Sequence, residues 1–279
     1  MRNATVLVCL LLLGFLLGMP SPALAFDVNR WFNGYKGDPI HEEITTKALR
    51  AYRVDGVDGG FTDDAIKDIV KYNTETDHNQ NDSALHFDNE NFSEGSKRLI
   101  KLKKEIIDIA QTLSSRERIR SRLGGALHTV QDFYAHSNWV ELQNQKNNGN
   151  PTINKELGRG EISNVADQNT PTCPTDNKTL SGEGLNQLTS GYFYSVAQAC
   201  TLPPNVNRGK CFHGWEHELL GVAQTCGGIN KDNSKRPGYT TAKDLAGQAT
   251  KDYLDQILKE GDLAGNVKAA KFLMGIRRK

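Results

Sequence analysis

The segment from Gly124 to Leu142 (GGALHTVQDFYAHSNWVEL) constrains the fold more than any other, because it sets His128, Asp132 and His136 four residues apart inside an otherwise apolar helical pattern. At 3.6 residues per turn, each step of four advances a side chain by about 40°, so the three lie within about 80° of one another on one helix face. Each step also rises about 6 Å, which stands His128 and His136 ~12 Å apart at the backbone with Asp132 between them. That span is too long for one ion and suits two, with the carboxylate as a bridge. A lone histidine on an amphipathic helix is ordinarily a hydrogen-bonded polar group, whereas a pair flanking an aspartate at matched spacing points to metal.

The rest of the pattern is also helical. Asp38-Pro39-Ile40-His41 reads as a helix entrance, followed by Ile44, Ala48, Leu49 and Tyr52 at helical spacing. Thr62 with Asp63 and Asp64 opens a short helix that ends near Tyr72. Asn73 to Phe92 has no apolar period and reads as a loop carrying Asp77, His78, Asp82, His86 and Asp88. Ser96 to Leu113 keeps Leu99, Leu102, Ile106, Ile109 and Ala110 on one face of a long amphipathic helix. Arg116 to His136 continues with Ile119, Leu123, Leu127 and Val130, and its Gly124-Gly125 pair fits where another backbone or a ligand approaches closely. Thr240 or Thr241 caps a last helix ending at Gly261. No stretch alternates with period two and no internal repeat occurs, so the expected fold is all-α, a helical bundle with long disulfide-pinned loops.

Met1 to Ala25 carries one basic residue, Arg2, an apolar run through Val6 to Leu17, and Ala23-Leu24-Ala25 before Phe26. This is the pattern of a secretory signal peptide over 1–25, and it predicts a secreted or periplasmic protein. Residues 26–279 then form a single domain, interrupted over about 143–210 by a loop-rich excursion full of Asn, Gly, Thr and Pro, in which Leu185 to Ala199 alone hints at order. Without Arg2, 33 basic and 33 acidic residues remain, so no global field steers polyanions and a nucleic-acid partner is disfavoured. Cys9 leaves with the signal. Cys173, Cys200, Cys211 and Cys226 read as two disulfides, and closure along the sequence favours Cys173 with Cys200 and Cys211 with Cys226.

Further ligand candidates are His41 at its helix start, Asp77 and His86 in the polar loop, and His213, which lies beside Gly214 and near Cys211. His213 and His217 would form an i, i+4 pair if their segment were helical, but H-E-x-x-H is absent and a peptidase is disfavoured. His78 and Asp82 read as solvent-facing. The serine elbow, the P-loop and the dinucleotide glycine motif are all missing, which demotes nucleophilic-serine and nucleotide chemistry. Asn81, Asn91 and Asn177 begin glycosylation sequons.

Taken together, LHTVQDFYAHSNWVEL, the upstream DPIHEEITTKAL, HFDNENF from His86, and the later KCFHG and GGINKDNSKRP resemble the Het-C heterokaryon-incompatibility family. That family is in turn similar to zinc-dependent phospholipases C and fungal single-strand nucleases, which are secreted helical enzymes with a three-zinc cluster. The resemblance implies two or three zinc ions held by His41, Asp77, His86, His128, Asp132, His136 and His213, with Asp77 serving also as catalytic general base. It implies a phospholipase C-like phosphodiesterase acting through metal-activated water on a phospholipid or other phosphoester, with peripheral membrane-surface contact. A non-catalytic recognition or toxicity protein with a structural metal cluster is the alternative. The chain departs from the phospholipases at its mature start, Phe26 with Trp31 five residues on, and in the shorter step from Asp132 to His136. Phe26, Glu141, His217 and Glu218 stay open as residues completing the cluster, and the oligomeric state is open as well.

Overall fold

The computed structural model describes residues 39–193, 209–219 and 222–276. The signal segment, Phe26, Trp31 and Cys200 lie outside the described residues. The fold is all-α. Its helices are α1 (Ile40–Ala51), α2 (Asp63–Glu75), α3 (Ser83–His86), α4 (Phe92–Thr112), α5 (Arg116–His136), α6 (Trp139–Lys146), α7 (Tyr239–Leu258) and α8 (Val267–Leu273). One antiparallel hairpin, β1 (Trp215–Leu219) with β2 (Val222–Cys226), stands apart from the helices in the sequence order.

Local signals set the helix ends. Thr62 accepts a hydrogen bond from the Ala65 amide, and Asp63 and Asp64 occupy the positive first turn of α2. Ser115 accepts from the Arg118 amide at 3.2 Å and starts α5. The polar segment expected to be a loop contains a 3₁₀ turn, Thr76–Asn79, and the one-turn α3, capped by Asp82 on the Ala84 amide at 3.1 Å. These elements are too short to show a period. The long helix expected from Ser96 begins instead at Phe92, and α8, capped by Asn266 on the Ala269 amide, was not foreseen because seven residues carry little pattern.

Helix α5 is the axis of the bundle, packing on α2, α4 and α7 and touching α1, α3, α6 and α8. Every residue from Leu123 to His136 is buried, so this helix is enclosed on all sides. Its close approach to α2 depends on Gly124, where a Cβ would stand 2.6 Å from the Ile69 carbonyl oxygen and 2.8 Å from the Asn73 amide nitrogen. The main apolar core runs through Ile44, Leu99, Leu127, Phe133, Leu245 and Leu254, and a smaller cluster gathers Cys173, Cys211 and Ile229. Among the described residues, no helix is long and apolar enough to cross a membrane.

The cysteine pairing corrects the sequence-local expectation. Cys173 joins Cys211, closing a loop of 38 residues, and Cys226 is disulfide-bonded as well. Proximity along the chain is a poor guide here because the excursion folds back on itself. The Cys173 and Thr172 amides both donate to the Gly209 carbonyl, and the Phe212 amide donates to that of Asn177. Asn177 is buried with its Nδ2 donating to the Lys210 carbonyl at 2.7 Å, so its sequon is a poor glycan acceptor. The segment after His213 is β1 rather than a helix, which removes the i, i+4 relation between His213 and His217.

Candidate metal centre

Because α5 is wholly enclosed, His128, Asp132 and His136 cannot form a solvated stripe, and their partners must come from other elements. They do. His41 arrives from the first turn of α1, Asp77 from the 3₁₀ turn and His86 from the end of α3, all at most 1 % exposed. Three atoms close on one another: His86 Nδ1 lies 2.8 Å and His128 Nε2 2.9 Å from Asp132 Oδ2, and the two nitrogens are 3.1 Å apart. Asp77 Oδ1 stands 3.4 Å from His128 Nε2. A tetrahedral zinc with ligands at about 2.0–2.2 Å keeps its ligand atoms about 3.2–3.6 Å apart, so His86, His128 and Asp132 fit one slightly contracted face of a coordination shell, while Asp77 groups with His128 and His41.

On the other side of Asp132, His41 Nε2 approaches Oδ1 at 3.1 Å. The His41 Nδ1–H donates to Gln131 Oε1 at 2.6 Å, which turns the Nε2 lone pair towards the carboxylate. Gln131 is held in that orientation because its Nε2 donates to Thr45 and Thr250 hydroxyls at 2.9 and 3.2 Å. His86 Nε2–H likewise donates to the Asn79 carbonyl at 3.3 Å, directing Nδ1 at Asp132. Asp132 is thus a carboxylate with one oxygen towards each of two imidazole sets.

Burial and neighbouring charges shift several of these groups strongly. Burial pushes the Asp77 carboxyl well above its ordinary range, and the neighbouring Asp132 charge pushes it further. Burial alone would raise Asp132 as well, but His128, His136 and His41 hold it well below. Burial lowers His128 to about 3, so its ring is neutral at physiological pH. For His136, burial is outweighed by Asp88, Asp132 and Asp232, which hold it well above the usual imidazole value. Among the described residues, no lysine or arginine pairs with Asp77, Asp88, Asp132 or Asp232.

The candidates from the sequence therefore separate into groups. His41, Asp77, His86, His128 and Asp132 meet around one carboxylate. His136 and His213 meet edge to face with ring centroids 4.4 Å apart, beside two aspartates that sequence reasoning did not select, Asp88 and Asp232. Asp88 had a weak signal, lying two residues after His86, and Asp232 had none, because only tertiary folding brings it to His136. Glu141 is not part of either group, since it faces the buried Lys231 ammonium at 3.1 Å. His78 and Asp82 are exposed. Of His217 and Glu218, only the backbone in β1 is described.

Comparison with known proteins came out differently from the resemblance read in the motifs. Residues 44–266 match the family model of the VWA7 N-terminal domain. The human von Willebrand factor A domain-containing protein 7 is 40 % identical over 176 residues, covering 62 % of this chain and 18 % of the human protein. Its rat counterpart is 40 % identical over 154 residues, covering 54 % of the chain and 16 % of that protein. The mouse counterpart is 37 % identical over 169 residues, with 59 % and 17 % covered. The chain thus spans less than a fifth of the length of these relatives. No solved structure matches.

These matches overturn the Het-C resemblance, and with it the phospholipase C-like phosphoester hydrolase and the heterokaryon-incompatibility role that rested on it. A short histidine and aspartate motif reports a coordination geometry, and neither lineage nor reaction follows from that geometry alone. The chain belongs to the family of the VWA7 N-terminal domain.

Proposed function

We propose that the domain is a zinc-binding module whose buried centre around Asp132 locks the helical bundle. The observation that carries this reading is the convergence of His86 Nδ1, His128 Nε2 and Asp132 Oδ2 at 2.8 to 3.1 Å from one another, with Asp77 Oδ1 3.4 Å from the same His128 nitrogen and all four side chains fully buried. Nitrogen and oxygen donors in this mixture suit zinc. A cation there would neutralise carboxylates that burial otherwise drives towards protonation, and would join α1, α3 and α5 through one ion-bearing carboxylate. His41 on the far oxygen of Asp132 offers a position for a second ion.

The cysteine pairing supports an exported protein, since disulfides persist in oxidising compartments. The relatives are named for a von Willebrand factor A domain, and this chain matches their family's N-terminal domain model. We read it as a metal-stapled exported module within that family.

The test is elemental analysis of the purified protein together with thermal unfolding before and after chelation. Zinc retained through dialysis, with a transition that drops by well over 10 °C on chelation and returns on adding zinc, is expected, because metal binding free energy is folding free energy. Folded protein that retains no zinc and unfolds at the same temperature with and without chelator would sink the reading.

A further inference from the structure

Asp88, His136, His213 and Asp232 converge outside the Asp132 cluster, and they come from different parts of the chain. Asp88 follows α3, His136 ends α5, and His213 and Asp232 belong to the cysteine-rich lobe. His136 Nδ1–H donates to the His86 carbonyl at 2.9 Å, and the same nitrogen passes Asp88 Oδ1 at 3.1 Å. His213 Nδ1–H donates to the Gly214 carbonyl at 2.6 Å. Once both rings are neutral, each bond fixes its ring's tautomer and leaves Nε2 as a lone-pair donor to a metal.

These nitrogens face carboxylate oxygens. His136 Nε2 is 3.3 Å from Asp232 Oδ1, while His213 Nε2 is 3.7 Å from Asp232 Oδ2 and 3.8 Å from Asp88 Oδ1. Both Asp88 oxygens, His136 Nε2 and Asp232 Oδ1 are buried and make no hydrogen bond. With both rings neutral, every group that points inward is an acceptor, and acceptors packed together repel unless a cation, a metal ion or the proton that these aspartates favour on His136, lies between them. The separations, 3.3 to 3.8 Å, are close to or slightly longer than the edges of a tetrahedral shell.

The backbone holds His213 where it is. A Cβ at Gly228 would fall 2.3 Å from the His213 carbonyl oxygen, so the lobe folds tightly over this residue. Lys231 anchors the neighbouring Asp232, donating its amide to the Ala135 carbonyl at 2.8 Å and its ammonium to the Ser137 carbonyl at 2.8 Å. Asp232 is 14 % exposed, whereas the other three are at most 2 % exposed. Exchange with solvent would therefore pass by Asp232.

We propose that Asp88, His136, His213 and Asp232 form a second site for a divalent transition-metal ion, loaded through Asp232, that clamps the cysteine-rich lobe to the helical bundle. The inference rests on reading the adjacent Asp132 cluster as a metal centre, and adds to it a separable ion with its own mechanical role. The rival arrangement is a protonated His136 bridging the aspartates with no ion.

The experiment compares the full chain with its Asp88→Asn/Asp232→Asn variant, both purified from an oxidising compartment and saturated with zinc. Native mass spectrometry should show the variant one zinc short and otherwise loaded, with unchanged far-ultraviolet circular dichroism. Amide exchange over 209–219 and 222–232 should rise about tenfold or more while that of α5 stays slow. A variant with the wild-type zinc count overturns the second site and leaves the Asp132 centre standing; wild-type protein with no zinc overturns both. Should the variant not fold, slow chelation of the wild-type protein decides. A species one zinc short whose exchange rises only in the lobe supports the clamp, and simultaneous loss of all zinc with global opening contradicts it.

Discussion

Asp132 is buried and accepts nothing from a lysine or arginine among the described residues, so its charge is balanced by imidazoles alone or by metal. This makes its environment sensitive to acid. His128 has an ordinary value of 6.5 when unfolded and about 3 in the fold, so between those limits the unfolded chain binds the extra proton. The His128 contribution to stability therefore rises with pH across that window, is complete above about 6.5, and is lost progressively as pH falls towards 3, whereas the raised Asp77 and His136 act in the opposite sense in the metal-free protein. Metal strengthens the same trend, since ligands must be deprotonated to bind. Thermal unfolding followed from pH 7.5 down to 4 should show a falling midpoint with zinc release, and a midpoint that climbs on acidification would contradict this assignment. A second residue-scale expectation concerns Gln131. Gln131→Met keeps volume but removes the acceptor that orients His41, and losing a hydrogen bond that orients a ligand costs about 10–100-fold in metal affinity. Competition with a calibrated zinc chelator measures it, and unchanged affinity would remove His41 from the centre.

At the scale of elements, what could be read from the sequence depended on how local the cause was. Helix α5 was legible from Arg116 to His136 because a serine cap, a helical apolar period and three aligned ligands all lie within one segment. The Gly124-Gly125 pair was legible as a close approach, and the neighbour proved to be α2. Asp88 and Asp232 were not legible, because their role exists only once the lobe packs on the bundle. The hairpin was not legible for a related reason. The spacing of His213 and His217 imitates a helix face, while the paired strands obey contacts the local pattern does not encode. Two expectations belong here. Gly124→Ala puts a methyl against the α2 backbone and should cost about 1–3 kcal/mol in chemical denaturation, as overpacking does. Wild-type stability in that variant would mean that the α2–α5 contact is looser than described. Removing the Cys173–Cys211 bridge with a double alanine variant should cost about 2–4 kcal/mol, given the 38-residue loop it closes.

For the whole molecule, a chain of formal net charge +1 has built its core around polar groups that an ordinary bundle would exclude. Enclosing five histidines and four aspartates is costly unless something offsets the desolvation, and divalent ions do so within a few ångströms. The family assignment shows that such a cluster says little by itself about reaction, because the motifs that suggested a lipid hydrolase are matched within the VWA7 N-terminal domain. The metal centre does not depend on that lost resemblance, since it stands on distances and burial. Diffraction from crystals of the zinc-loaded protein, recorded at the zinc absorption edge, tests it most directly. The account predicts an anomalous peak about 2.0–2.3 Å from His86 Nδ1, His128 Nε2 and an Asp132 oxygen. A folded protein from zinc-containing crystals with no peak between these residues would contradict it.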